Sequence, residues 1–441
     1  MIREVSFSLL RNSHRFLKAL SFSGLFVVFA AQGQQGFRGL TLENDRYNRL
    51  PIHPGYGKFE KLPSFISNKN YFPRVINQTQ ENNSVGWSTA WYGMGALYAR
   101  LLPLKKPFFS PAFTYRVCNP GTRDCINPMS LIDALQSLTN YGSVKGNLFD
   151  LFCAESISTA VLDSAKQNRL SGYVRIFNTY DSKEIKVQSL KRALIDRNPV
   201  VIGILCPASF QFAKEFWQPR EKALIENGGH SLCIVGYDDS KYGGAFEVVN
   251  SWGKAWGKDG YTWFRYDDVA EFVLYGFEMM KFPDELSAGI KFETNKGEEM
   301  KVNFVAPGRY QFARHYKTGE QFRMKINTGT PLLGRVIAID PGGQQYTLFP
   351  LGENSYPLID KELILPGDSP YLQIEGAPGV NKIIVVFSSE THRLEQFQNQ
   401  MIQEGTSILT TQKNSGEWFR SVIGFKQSKE LTVVQIELVQ E

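Results

Sequence analysis

The chain has 441 residues and a formal net charge of +6, without any run of basic residues to carry that surplus, so a nucleic-acid partner is not expected. Hydrophobic residues at 42% and aromatics at 13% exclude a disordered chain; the length is enough for two or three domains, and the aromatics lean towards β structure.

The first 33 residues set Arg3, Arg11, Arg15 and Lys18 against Glu4, and an apolar stretch, Ala19–Ala31, follows them. With small residues at Ala31 and Gly33 this is the pattern of a secretory signal over 1–33. The long basic start leaves an uncleaved anchor open, although the apolar stretch is short for a membrane span. The expected location is outside the cytoplasm: secreted, periplasmic or on the cell surface of a bacterium, with no membrane contact after signal removal.

Residues 34–72 are turn-rich, as in LPIHPGYGKF, and read as an arm packed on the domain that follows. From Ser84, the residues Val85, Trp87, Trp91, Met94, Ala96 and Leu97 give a helical apolar spacing through Arg100, with Ser84 as the expected N-cap. Cys118 and Cys125 flank the turn-rich NPGTRD, and in an exported chain a Cys118–Cys125 disulfide is expected. Cys206 and Cys233 read as buried small hydrophobes, with a bridge between them left open; the odd count of five cysteines leaves at least one free thiol. Strands are expected at 172–177 and 200–205. Between them, a helix over 186–197 stops at Asn198-Pro199, because Pro disfavours helical geometry at the residue before it.

Residues 228–261 read GGHSLCIVGYDDSKYGGAFEVVNSWGKAWGKDGY. Two apolar runs, Ser231–Tyr237 and Ala245–Asn250, are separated by turn chemistry at 238–244, which predicts a β-hairpin. It places His230 at the start of one strand and Asn250 at the end of the other. A His–Asn hydrogen bond would fix the imidazole's tautomer and orientation.

These residues resemble the papain family of cysteine peptidases, its bacterial branch in particular: GGHSLCIVGYDD stands where the family carries its catalytic His, and NSWGKAWGKDGY where it carries Asn. The resemblance runs from about Pro73 to Met280 and implies an α+β, papain-like two-lobe fold, a helical lobe followed by a β-rich lobe, with a ligand cleft between them. It implies His230 as general base, Asn250 as its orienter and Trp252 as the shield of their bond. In the first half, N77-Q78-T79-Q80-E81-N82-N83-S84 puts Gln78 on the oxyanion Gln and Ser84 at the Cys nucleophile position. A Cys thiol starts near pKa 8.5 and is readily held as thiolate beside an imidazolium, whereas a Ser hydroxyl needs a base aligned during attack. The readings of Ser84 that therefore stand are a helix cap in a site that does not cut, a weak Ser nucleophile, and an engineered Cys→Ser change or another chemistry. The family's Gly-Gly substrate-binding pair is also absent, with Ile126-Asn127-Pro128 in its place.

From about Pro283 short alternating runs recur between Gly, Pro and Asn turns, the signal of an all-β sandwich over 283–441. GGQQYTLFPLGEN, ELILPGD and GVNKIIVVFSSE resemble a bacterial domain of unknown function often appended to secreted or periplasmic enzymes. Thr391–Glu404 reads as a helix and Val422–Val439 as closing strands. No cofactor or metal is expected. The partition is 1–33 signal, 34–72 arm, 73–282 papain-like domain and 283–441 sandwich. The leading functional expectation is a non-catalytic pseudo-peptidase that binds a peptide or protein in the inter-lobe cleft. The alternatives are an active hydrolase using Ser84, His230, Asn250 and Gln78, and a structural surface protein.

Overall fold

The computed structural model of the chain describes residues 39–78, 83–102, 107–121, 127–150, 156–282, 285–352, 355–367, 371–411, 417–420, 422–428 and 431–441. The expected signal over 1–33 and Cys125 lie outside the described residues. Among the described residues no helix is long and apolar enough to cross a membrane.

A helix begins at Ser84, widens into π-helical turns over Trp87–Met94, and returns to α geometry over Gly95–Leu101. Such wide turns are rare and tend to occur at functional sites. The helix is apolar almost all round and is buried accordingly. Gly93 is one reason it can lie so deep, since a Cβ there would come within 2.4 Å of Met279 Sδ. The N-cap is Asn83, whose Oδ1 accepts from the Gly86 N–H at 3.1 Å. The expectation of Ser84 as cap is thus shifted by one residue: Asn is as good an N-cap as Ser, and with Asn83 in that role the Ser84 hydroxyl is left for other work. Helices Pro111–Cys118 and Leu131–Asn140, capped by Ser110 and Ser130, complete the helical lobe.

The β-rich lobe is a seven-stranded sheet: β1 (Phe65–Ser67), β2 (Gly172–Arg175), β3 (Val200–Leu205), β4 (Gly229–Asp238), β5 (Ala245–Val249), β6 (Tyr261–Arg265) and β7 (Val273–Met280). The order is β2-β7-β3-β4-β5-β6, with β1 on the edge of β4. The expected hairpin is β4–β5, antiparallel, with Tyr237 opposite Phe246 and Cys233 opposite Val249. Helix Lys183–Ile195 precedes β3, beginning three residues earlier than the spacing predicts because Ser182 caps it. Strand alternation divides β4 between two cores. Cys233 and Val235 face the central helix, while Leu232 and Ile234 join the aromatic cluster of Phe210, Trp217 and Phe264.

From Glu285 onward two further sheets pack face to face over a shared core that includes Leu286, Phe292, Met324, Val385 and Phe425. This is the sandwich expected, and its inner faces follow strict alternation, as in Gln321–Asn327 where Phe322, Met324 and Ile326 are the buried residues. Helix Thr391–Glu404 covers the outer face of one sheet, and Leu394, Phe397 and Met401 pack there together with Val174, Met280 and Phe282. The Thr391 N–H donates to the Ser171 carbonyl, and the Phe282 N–H to Ser171 Oγ at 2.8 Å. Cys118 and Cys233 are free thiols. Cys118 is therefore not half of the expected bridge: it ends a helix and turns towards Ser137, and burial pushes its pKa up to about 12.

Candidate active site

His230 is the second residue of β4 and Asn250 the first beyond β5, so the hairpin register brings them side by side. His230 Nε2 lies 2.8 Å from Asn250 Oδ1, and both residues are fully buried. Asn250 Oδ1 also accepts from the Ser251 N–H at 2.8 Å, which identifies it as the amide oxygen. The imidazole proton therefore sits on Nε2, and Nδ1 is the basic nitrogen. The Trp252 ring packs on the imidazole at a centroid distance of 4.6 Å, and Phe210 packs against both rings. These rings keep water from the His–Asn bond, and a hydrogen bond in a dry site is both stronger and more costly to lose. The Asn250 carbonyl accepts from the Tyr92 hydroxyl at 3.0 Å, which ties the strand end to the central helix.

On the helix side, Ser84 is fully buried and its Oγ accepts from the Ser231 N–H at 3.2 Å. Strand β5 ends its pairing with β4 opposite Cys233, so Ser231 lies beyond that ladder, where a side-chain oxygen can satisfy its backbone. The Ser231 hydroxyl meets Ser88 Oγ at 2.6 Å. Gln78 enters through the backbone: its N–H donates to the Ser251 carbonyl at 2.6 Å, and its Oε1 accepts from the Ser251 hydroxyl. That bond turns the amide oxygen towards Ser251 and leaves Nε2 as the donor end. The sequence-predicted set of Gln78, Ser84, His230, Asn250 and Trp252 is thus gathered around one junction, Ser231 and Ser251 being the adjacent residues that join its parts.

A segment of the arm also reaches this junction. The Leu40 N–H donates to the carbonyl of Gly229, the residue before His230, at 3.2 Å. The Thr41 N–H donates to the Met129 carbonyl at 2.9 Å, and the Met129 N–H to the Gly39 carbonyl at 2.8 Å. Residues 39–41 therefore lie extended between Gly229 of the β-rich lobe and Met129 of the helical lobe. Close to the place where the resemblance puts the Gly-Gly pair, Met129 supplies a backbone donor and acceptor, and the chain's own arm takes both.

Sequence reasoning missed Ser231, Ser251, Tyr92 and Met129. None carries a motif of its own, and each acts through its backbone or a single hydroxyl placed by the fold. Phe210 was equally silent, one aromatic among many.

Residues 135–277 match the family described as papain family cysteine protease. Over that stretch the chain is a papain-family peptidase homologue. The stretch holds His230, Asn250 and Trp252, whereas Gln78 and Ser84 precede it. An uncharacterized peptidase C1-like protein of Acanthamoeba polyphaga mimivirus is 33% identical over 119 residues, covering 25% of this chain and 36% of the relative. Cathepsin K of Mus musculus is 35% identical over 76 residues, covering 17% of this chain and 23% of the relative. The chain thus spans about a third or less of the length of these relatives. Among solved structures, the digestive procathepsin L2 proteinase from Tenebrio molitor larval midgut aligns with a TM-score of 0.46 at 17% identity, over 55% of this chain and 77% of that one.

Proposed function

We propose that this chain is an exported papain-fold protein that holds a peptide or protein segment in its inter-lobe cleft without cutting it. Its parts on this reading are an arm over 34–72, a papain-like domain over 73–282 and a sandwich over 283–441, behind a signal at 1–33. The observation that carries the reading is the oxygen at position 84. The Ser84 hydroxyl has a structural task, accepting the Ser231 N–H in a fully buried setting, and no thiol stands in its place. Such a hydroxyl is not ionised at rest, and the thiolate–imidazolium pair on which the cysteine mechanism depends has no counterpart. The backbone pairing of residues 39–41 with Gly229 and Met129 supports the binding half of the reading, because it demonstrates main-chain groups on both lobes that can hold extended chain.

The second reading, a serine hydrolase, draws on one observation: His230 is oriented by Asn250 with Nδ1 as the basic nitrogen, as a general base requires. One assay decides between the two. The full chain is incubated with a broad peptide library, beside Ser84→Ala. Turnover at background in both is expected. Robust turnover by the wild type that Ser84→Ala abolishes would overturn the non-catalytic reading. Retention of library peptides by the wild-type chain on a column would then separate a binding protein from a structural one.

A further inference from the structure

Away from the His230 site, three ligand-type side chains converge from three separate elements. His53 lies on the arm, just after Ile52, which bridges both Arg175 and Ser355. Asp196 is the C-terminal cap of helix Lys183–Ile195, and Glu278 is on β7. One ligand-type atom from each, a ring nitrogen of His53 and a carboxylate oxygen of Asp196 and of Glu278, lies within 4.8 Å of the others. Glu278 is buried to 1% exposure, and although its Oε1 accepts from Asn198 Nδ2 at 2.5 Å, its Oε2 makes no hydrogen bond among the described residues. His53 Nε2 lies 3.3 Å from Oε2. A buried carboxylate oxygen that forms no hydrogen bond is costly, and a second carboxylate beside it makes it more so. The neighbouring Arg100 directs a donor to the Asp196 backbone carbonyl at 3.0 Å rather than to either carboxylate.

We propose that His53, Asp196 and Glu278 bind a divalent transition-metal ion of the zinc class. One imidazole and two carboxylates form a mixed N/O donor set that suits Zn²⁺ better than the all-oxygen preference of Ca²⁺ or Mg²⁺. Asp196 is exposed, so the ion has an entry path and room for a water ligand on that side, while Glu278 anchors it from the core. The ion fastens the arm to the β-rich lobe close to where Ile52 meets Ser355. Coordination carries one local consequence. The Gly55 N–H now donates to His53 Nδ1 at 2.9 Å, so the neutral imidazole carries its proton on Nε2. Binding through Nε2 moves that proton to Nδ1 and turns the Gly55 N–H away, a rearrangement within the glycine-containing turn 53–57.

The test uses the full chain purified without a polyhistidine tag, stripped with a chelator and titrated with zinc chloride by calorimetry. One equivalent of Zn²⁺ is expected to bind and to raise the unfolding midpoint by a few degrees, with no such effect from Ca²⁺. His53→Gln and Glu278→Gln should each weaken the zinc affinity by more than the roughly 10–100-fold that loss of an outer partner costs. If Glu278→Gln fails to fold, His53→Gln and Asp196→Asn carry the comparison, since both positions lie nearer the surface. No zinc binding at micromolar concentration, or binding unchanged in the folded variants, overturns the proposal. Because the readout is metal affinity, it is independent of whether Ser84 turns over peptides.

Discussion

On the strand side of the candidate site, His230 lies under Trp252 with Nε2 on Asn250 Oδ1 at 2.8 Å, an arrangement fit to hold an imidazole as a base. On the helix side, Asn83 caps the helix and Ser84 offers an oxygen that takes the Ser231 N–H at 3.2 Å. Both sides are buried and hydrogen-bonded, and by packing alone neither is the weaker. The difference is chemical. The imidazole's orientation follows from strand register and backbone hydrogen bonds, which the fold maintains whatever the site does. Nucleophilicity depends on a single atom: a thiol beside an imidazolium is readily held as thiolate, whereas a Ser hydroxyl needs a base aligned during attack. On the proposed reading, the fold keeps the frame of a reaction around a residue that does not perform it.

The largest expected effect comes from putting sulfur in place of the Ser84 oxygen. Wild-type chain should not react with a thiol-directed epoxide at position 84, whereas Ser84→Cys should be labelled there, because a helix N-terminus and a neighbouring imidazole lower a thiol's pKa. Adding His230→Ala should remove most of the labelling. Peptide mapping by mass spectrometry reads all three, and a folded Ser84→Cys chain that stays unlabelled would mean that the two sides do not act on each other.

A second imidazole sharpens the comparison. His392 lacks an Asn partner; burial, with Arg169 and Arg393 close by, lowers its pKa to about 4 despite the Glu390 carboxylate 3.6 Å away. Since the folded pKa lies below the ordinary 6.5, the unfolded chain binds the proton first. Stability is full above about pH 6.5 and falls as pH drops from there to 4, by up to about 3 kcal/mol. His392→Gln should flatten that part of the pH profile in urea titrations. An unchanged slope would show that His392 is charged in the folded chain.

Asn250→Ala should cost about 1–3 kcal/mol, because it strands the buried His230 Nε2–H and the Ser251 N–H. Chemical denaturation should report a lower midpoint at constant slope. The smallest effect belongs to the helix side: Asn83→Ala removes the cap on Gly86 and should cost about 1 kcal/mol. A loss there larger than that of Asn250→Ala would show that the cap, and not the His–Asn bond, is the costlier of the two to remove.

Much of this is legible in the amino-acid sequence. The β4–β5 hairpin follows from two apolar runs around a Gly-rich turn, and because His230 and Asn250 sit at the ends of those runs, pairing the runs pairs the residues. The alternating sandwich strands and the Thr391–Glu404 helix were equally plain, since burial on one face leaves a period in the sequence. The Ser84 cap was misplaced by one residue because Asn and Ser compete for that role on nearly equal terms. The Cys118–Cys125 bridge was expected from a short turn-rich loop, but side-chain direction decides such a bond, and Cys118 turns to Ser137.

The sequence by itself determined which side chains could do chemistry and, through periodicity and turn residues, the local elements that carry them. The tertiary structure decided the meeting of residues with no local relation. Examples are the Ser84 hydroxyl on the Ser231 backbone, the arm's Leu40 beside Gly229, and His53, Asp196 and Glu278 at one point. The reason is physical: hydrogen-bond partners across a core are set by how whole sheets and helices pack to exclude water, and that packing leaves no period or spacing in the chain.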